Sequence, residues 1–235
     1  MKPALVLWRP GAREIPRRPA SRVVFVEDEA ELAVLFEPSV VLAGLRVRPV
    51  PAEELTALTA RDVPDVQRPT AQPGRSIRAR VSTDGDVHEL ATLLGSSTSS
   101  AAVTQLADAV RLFADLSGAR EVGLRLAIES RPSCPRFHVD QVALRAVGVW
   151  LGPTTEWVDD RDILDRTKLG HGSRGAPDER SGLLRPGAVV QQLAPSMLAF
   201  FKGEAWPGMA GRALVHRSPA CDGQVRILWT LDALD

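Results

Sequence analysis

Apolar residues follow a helical period in one segment of the chain and a strand period in most of what comes after it. Between Ser100 and Leu116 they recur at intervals of three and four, and Gly118 follows where a C-terminal cap belongs. From Val122 to Ile128 they alternate with glycine, arginine and alanine, which predicts a strand. Further strands are predicted at Phe137–Val149, Ala188–Leu193, Met197–Phe201, Ala213–His216 and Val225–Leu231. Several short strands without helices between them predict a mainly β, α+β protein with a jelly-roll core.

The first hundred residues are predicted to be an N-terminal extension, and residues 101–235 the helix and core. Residues 61–100 are rich in Pro, Gly, Ser, Thr and Asp without an apolar period, which predicts a polar linker. The acidic stretch Glu27–Glu37 has the spacing of a short helix. Short extended pieces are predicted from apolar clusters at Ala4–Trp8, Val23–Val26 and Val40–Val47.

A second polar stretch, residues 159–184, predicts an irregular insertion between two strands. His171 lies within it, flanked by Gly170 and Gly172. Such a histidine is either a solvated surface residue or part of a lid over a pocket.

Length, composition and charge narrow the functional classes. A chain of 235 residues with 44% hydrophobic residues is typical of one soluble domain. Its 29 basic and 29 acidic residues balance, which disfavours nucleic acid and anionic membranes as partners. It has no apolar run long enough for a membrane span and no secretory h-region, and two cysteines are too few for a disulfide scaffold, so we expect a cytoplasmic protein. No P-loop, dinucleotide fingerprint or serine-hydrolase elbow is present.

The most informative motif is His138-Val-Asp140, at the start of a predicted strand. Side chains two residues apart on a strand point to the same face, so these two can offer adjacent metal ligands. His216, at the end of a distant predicted strand, is the candidate third ligand. Two histidines and one carboxylate on one face of an octahedral metal leave three positions open, as non-haem Fe(II) oxygenases require. The alternative is a structural His–Asp pair that binds nothing.

Arg226 follows His216 at the start of the last predicted strand, where a guanidinium can bind the far carboxylate of a 2-oxo acid. In this order the four residues resemble the signature of the Fe(II)/2-oxoglutarate-dependent dioxygenases. The resemblance implies a double-stranded β-helix (cupin-like) core, with Fe(II) at His138, Asp140 and His216 as the catalytic centre and 2-oxoglutarate at Arg226. The chain departs from the pattern at Leu228, where many members carry a Ser or Thr that contacts the cosubstrate.

The segment Gly152-Pro-Thr-Thr-Glu156-Trp157 is similar to a loop that follows the first metal strand in the prolyl-hydroxylase-like branch. Glu156, Trp157 and Arg217 are therefore candidate substrate-pocket residues. The alternatives are a core or rim position for Trp157 and a surface position for Arg217. The substrate itself, a small molecule or a protein, is not defined by the sequence.

A closer resemblance covers most of the chain and includes Cys134–Asp140, Lys202–Gly208 and Val215–Pro219. These segments resemble the bacterial family catalogued as domain of unknown function 1826. The resemblance implies no assigned activity, but it does imply a link to metal homeostasis and its partner proteins.

The cysteines offer a rival ligand set. Cys134 and His138, with His216 and Cys221, have the residue types of a closed zinc site. On one straight strand, however, Cys134 and His138 would be about 13 Å apart, too far to share an ion unless Pro135 bends the chain. The zinc hypothesis describes a non-enzymatic accessory or sensor protein. A third hypothesis is a degenerate barrel that binds no metal and serves as an interaction module.

Overall fold

The computed structural model describes residues 22–60 and 74–234. Its strands are β1 (Arg22–Val26), β2 (Val40–Arg46), β3 (Gly74–Val81), β4 (Val122–Glu129), β5 (Leu144–Leu151), β6 (Glu156–Val158), β7 (Val190–Gln192), β8 (Met197–Lys202), β9 (Val215–Arg217) and β10 (Arg226–Ala233). Its α-helices are α1 (Ala52–Ala60), α2 (Val87–Leu94) and α3 (Ala101–Ser117). The predicted cluster Ala4–Trp8 and the part of the predicted linker at 61–73 lie outside the described residues.

Two sheets form the core. The larger has seven strands in the order β1-β2-β8-β5-β10-β4-β3, and the smaller has three in the order β7-β6-β9. Strand pairing is antiparallel except between β1 and β2. An isolated bridge between His138 and His216 adds a further extended segment beside β9. The two sheets face each other across a buried apolar layer that includes Trp157 and Phe201. The predicted fold class is confirmed: the protein is mainly β, with a double-stranded β-helix core.

The helices cover the other face of the large sheet. Helix α3 begins after Ser100, whose side chain accepts a hydrogen bond from the Val103 amide, and ends at Gly118 in the left-handed conformation. Its apolar stripe, including Leu106 and Phe113, is fully buried against the sheet. The caps and the stripe are those that the sequence predicts.

Alternation along β10 separates an apolar face from a polar one. Ile227, Trp229 and Leu231 belong to the core under the helices. Arg226 and Asp232 therefore point the opposite way, into the space between the two sheets. This polar inner face positions the candidate site.

The described strands of the N-terminal half belong to the same large sheet as the strands of the core. Strands β1 and β2 continue the sheet beyond β8, and β3 pairs with β4 along its whole length. Residues 74–100, predicted as part of a polar linker, contain β3 and α2. Arginines alternate with apolar residues on β3, as in a strand with one buried face. The prediction of a linker rested on the polar composition of the segment and did not take this alternation into account. Between β6 and β7 the chain passes through four short 3₁₀ turns.

None of the helices in the described ranges combines the length and the apolar character that a membrane span requires.

Lys202, at the end of β8, is an almost completely buried cation. Its ammonium donates a hydrogen bond to the Glu37 carbonyl at 2.9 Å and lies 5.0 Å from the centre of the Trp206 ring. Burial, followed by repulsion from Arg212, lowers the pKa of Lys202 from 10.5 to about 8. The folded protein thus releases this proton more readily than the unfolded chain does.

This difference predicts that Lys202 makes stability rise with pH. Between pH 8 and 10.5 the unfolded chain still holds the proton and the folded protein has lost it, so the free energy of unfolding increases across this window. The gain is at most about 3 kcal/mol. Denaturant titrations over this range measure it, with Lys202→Met as the comparison in which this contribution is absent. Equal pH dependence in both proteins would contradict the assignment.

Candidate metal centre

The backbone joins His138 to His216. The amide of each residue donates to the carbonyl of the other, both at 3.0 Å, which makes a narrow antiparallel bridge. His216 lies on β9 opposite Trp157 of β6, so the three side chains form a row on one face of the small sheet. The two imidazole ring centres are 4.5 Å apart. The chain thus brings together two residues that the sequence separates widely.

Both imidazoles are oriented by hydrogen bonds from the nitrogen that faces away from the centre. Nδ1 of His138 donates to the Arg136 carbonyl at 2.9 Å, and Nδ1 of His216 donates to the Leu214 carbonyl at 3.1 Å. A carbonyl only accepts, so Nδ1 carries the proton and Nε2 of a neutral ring keeps its lone pair. Burial lowers the pKa of His216 to about 4, which keeps that ring neutral at pH 7. Nε2 of His216 is therefore in the state that a metal requires, and Nε2 of His138 faces the same group.

Asp140 completes the group. Its Oδ1 lies 3.9 Å from Nε2 of His138, and its Oδ2 lies 3.4 Å from Nε2 of His216. One ligand atom from each residue lies within 4.8 Å of the other two, close enough for one ion to contact all three. Asp140 is only 6% exposed, and its Oδ2 has no hydrogen-bond partner among the described residues. A buried carboxylate oxygen without a partner is costly, and a bound cation would remove that cost.

A close approach of two backbone segments fixes Asp140. The Glu204 amide donates to the Asp140 carbonyl at 2.8 Å. A Cβ on Gly203 would lie 2.0 Å from the Val142 carbonyl oxygen and 2.8 Å from that of Asp140, so only glycine fits between them. The end of β8 therefore sets where the carboxylate stands.

Arg145 links Asp140 to a second carboxylate. Its Nη1 donates to Oδ1 of Asp140, while its Nε and Nη2 bind the two oxygens of Asp232 at 2.7 and 2.8 Å. This leaves Oδ2 of Asp140 as the oxygen without a protein partner. Neither residue was predicted from the sequence. The only signal for Arg145 is a charge within the predicted strand Phe137–Val149, and Asp232 lies one residue beyond the predicted strand Val225–Leu231.

These observations fit a metal ion at His138, Asp140 and His216. Two neutral imidazoles and one carboxylate suit Fe(II) and other first-row divalent ions. The zinc set is not assembled in the same way, because neither cysteine belongs to the candidate metal-binding group in the described ranges. Cys221 is buried, and burial raises the pKa of its thiol, which disfavours the thiolate that zinc needs.

Arg226 is buried on the inner face and already has protein partners. Its Nε donates to the Pro153 carbonyl at 2.8 Å, and its Nη1 contacts Glu129 at 3.1 Å and the Ser218 hydroxyl at 3.2 Å. Gly152 permits this approach, since its φ is +83° and a Cβ there would lie 2.6 Å from the Val225 carbonyl oxygen. The ion pair with Glu129 was not predicted from the sequence.

The three candidate pocket residues fall on two faces of the small sheet. Trp157 points inward beside His216 and is 5% exposed. Glu156 precedes Trp157, and Arg217 follows His216, so both side chains lie on the opposite face. There they form an ion pair at 2.7 Å. Arg217 also stacks on the Phe137 ring at 4.2 Å. The structure therefore places only Trp157 with the metal group.

A cleft of about 530 Å³ opens on the exposed edge of the centre. One wall is the segment from Ser133 to His138, and the other is the turn from Gly170 to Gly175. Of the three candidate ligands, the His138 side chain is 27% exposed, compared with 8% for His216 and 5% for Asp140. His171 lines this cleft, and the flanking glycines were the one sequence signal for it.

The fold and the triad define a jelly-roll protein with a candidate centre of two histidines and one aspartate. The sequence model of the family described as "Protein of unknown function (DUF1826)" matches residues 26–232, and the chain belongs to this family. The predicted resemblance is confirmed. Among curated proteins, no sequence matches the chain.

Several solved structures are similar to this chain. The dioxygenase for auxin oxidation 1 from Arabidopsis thaliana, solved as a 2-oxoglutarate binary complex, has a TM-score of 0.50 and 12% identity over 91% of this chain and 92% of that one. The rice dioxygenase for auxin oxidation has a TM-score of 0.48 and 14% identity over 91% and 83%. A Pseudomonas putida prolyl-4-hydroxylase has a TM-score of 0.44 and 14% identity over 87% and 97%. The likeness to the Arabidopsis protein is one of fold, and none of the comparisons bears on metal homeostasis.

The Arg145 contacts predict a role in holding the ligand carboxylate. In an Arg145→Met variant, Asp140 loses the donor that fixes it, so we expect metal affinity to fall about tenfold or more. Calorimetric titration with Co(II) measures the change without any catalytic assay. Arg80→Met is the control, because Arg80 is exposed and pairs only with Glu121 among the described ion pairs. Unchanged affinity in Arg145→Met would contradict this role.

Proposed function

We propose that this protein is a non-haem Fe(II)/2-oxoglutarate-dependent oxygenase. The observation that carries the proposal is the group of His138, Asp140 and His216, in which each Nδ1 is bonded to a backbone carbonyl and Oδ2 of Asp140 has no hydrogen-bond partner among the described residues. Bound Fe(II) would supply the site for dioxygen chemistry, with three positions outside the protein ligands. The fold is that of the Arabidopsis protein solved with 2-oxoglutarate.

The charges on and beside the inner face support a dianionic cosubstrate. Three cations and three carboxylates surround this space: Arg125, Arg145, Arg226, Glu129, Asp140 and Asp232. They balance one another, so a divalent metal would leave two uncompensated positive charges in a buried site. A dicarboxylate such as 2-oxoglutarate would restore neutrality.

Two inward side chains are proposed as cosubstrate donors. Arg226, fixed by Glu129 and Pro153, would orient its guanidinium toward the far carboxylate. Trp157 lies beside His216, and its buried Nε1 has no hydrogen-bond partner within the described ranges. An indole N–H only donates, so an acceptor on the cosubstrate would satisfy it.

The reaction class balances without another reductant. One oxygen atom of dioxygen enters the substrate, and the other enters the 2-oxo acid, which loses carbon dioxide and becomes succinate. The chain's own residues would hold the cosubstrate, keep water away from the buried side of the centre and leave the His138 side open to substrate.

The test is an anaerobic titration of the apo-protein with Fe(II), followed by 2-oxoglutarate. We expect one equivalent of iron to bind and a visible charge-transfer band to appear when the 2-oxo acid chelates it. His138→Ala and Asp140→Ala should lose the iron, whereas His88→Ala, on the exposed surface of α2, should retain it. The double variant Glu129→Gln/Arg226→Met, which removes both charges of this ion pair together, should keep the iron and lose the band. Full iron binding in both ligand variants would refute the centre, and bound iron without a band would refute the cosubstrate.

The indole of Trp157 gives a second, separable prediction. Trp157→Phe keeps most of the apolar surface and removes the N–H, so we expect the affinity for 2-oxoglutarate to fall about tenfold. Trp229→Phe is the matched control, since its Nε1 is also buried without a partner in the described ranges but lies on the helix side of the sheet. Titration of the charge-transfer band gives both affinities, and equal values would remove Trp157 from the cosubstrate site.

A further inference from the structure

We infer that the cleft between the Ser133–His138 segment and the Gly170–Gly175 turn binds a small anionic molecule, with its acidic group against Arg174 and His171. Only the identification of this molecule as the substrate rests on the proposed function. The binding of an anion is inferred from the charge and the location of the cleft.

The location follows from exposure. His138 is the most exposed of the three candidate ligands, and the cleft is lined by this same side chain. A molecule in the cleft therefore lies against the accessible edge of the metal centre. The volume of about 530 Å³ is that of a small-molecule site.

The permanent charges that line the cleft have one sign. They are the guanidinium groups of Arg136 and Arg174, and no aspartate or glutamate is among the described residues of its walls. The comparable cleft of about 500 Å³ beside α3 is different, because Glu27, Asp108 and Arg46 all line it. An excess of one charge in a concave surface concentrates ligands of the opposite charge.

The two arginines of the cleft, Arg136 and Arg174, differ in their contacts with the protein. Arg136 is held inside the wall: it donates to the Ser173 hydroxyl and the Ala176 carbonyl, and its Nε lies 3.5 Å from Asp178. Its charge is therefore balanced by the protein. Arg174 is exposed at the cleft and takes part in none of the ion pairs among the described residues. It is the cation that a ligand can engage.

The two walls are tied together, so the cleft has a defined shape. The Gly170 amide donates to the Phe137 carbonyl at 2.8 Å, directly before His138. The Phe137 amide donates in turn to Asp178 at 2.8 Å. These bonds fix the turn that carries Arg174 against the segment that carries the candidate ligand.

Cys134 makes the charge of the cleft measurable without any ligand, metal or activity. Its thiol lines the cleft and is exposed, whereas Cys221 is buried. Cys134 is alkylated by iodoacetate, which is an anion, and by iodoacetamide, which is neutral. The ratio of the two rates at the same pH reports the local electrostatic potential, because both reagents react with the same fraction of thiolate. Peptide mass spectrometry assigns the label to Cys134.

We expect Arg174→Glu to lower this rate ratio about threefold or more. The matched control is Arg180→Glu, which makes the same charge change at an exposed position of the same insertion but outside the cleft walls. An equal ratio in the two variants would overturn the inference.

Binding is tested with benzoate and its uncharged counterpart benzamide, by saturation-transfer NMR on the apo-protein. We expect benzoate to bind more tightly than benzamide, and Arg174→Glu but not Arg180→Glu to weaken benzoate at least tenfold. Benzoate that binds no better than benzamide, fails to bind at millimolar concentration or is indifferent to Arg174 would overturn the inference. Both experiments omit iron and 2-oxoglutarate, so a failed charge-transfer titration alongside these results would refute the oxygenase and leave the anion site standing.

Discussion

The reciprocal backbone hydrogen bonds between His138 and His216 are the interaction on which the candidate site depends. Each residue belongs to a very short extended segment, and neither segment would hold its position alone. Pairing the two places both imidazoles on the inner face of the small sheet, and the adjacent carbonyls of Arg136 and Leu214 then set the ring nitrogens. Local geometry thus provides two of the three ligand atoms before any ion is considered.

The third ligand depends on charge compensation across the large sheet. Asp140 is buried, and a buried carboxylate is stable only with partners that offset the loss of water. Arg145 supplies one, and Asp232 in turn balances Arg145. Because Arg145 binds Oδ1 of Asp140, only Oδ2 is left facing the histidines without a hydrogen-bond partner among the described residues. A cation is therefore favoured at Oδ2.

Sequence patterns predicted the fold and the three candidate ligands because both have local signatures. The alternation in β4, the bounded apolar runs in β8 and β10 and the capped period of α3 need no knowledge of distant contacts. His138 and Asp140 are two residues apart, so their relation is also local. The partners of buried charges are not: Glu129 meets Arg226, and Arg145 meets Asp232, only after strands far apart in sequence have paired.

The dependence on long-range strand pairing also explains why the positions of the candidate pocket residues could not be predicted from the sequence. Glu156, Trp157 and Arg217 were grouped by a motif, but the two-residue period of a strand sends adjacent side chains to opposite faces. Only the register of β6 against β9 decides which of them shares a face with His216. The polar insertion gives no period at all, so its contribution to the cleft follows solely from tertiary contacts.

Phe137 shows how the two parts of the site are coupled. Its ring is fully buried on the outer face of the small sheet beneath Arg217, while its amide and carbonyl hold the insertion through Asp178 and Gly170. The next residue is the most exposed of the candidate ligands. A displacement of the insertion would therefore act on His138 through a single peptide unit. The alternation of the strand turns residue 137 outward, toward the insertion, and residue 138 inward, toward the metal group. The shape of the cleft and the geometry of the metal group are therefore coupled through these two adjacent residues.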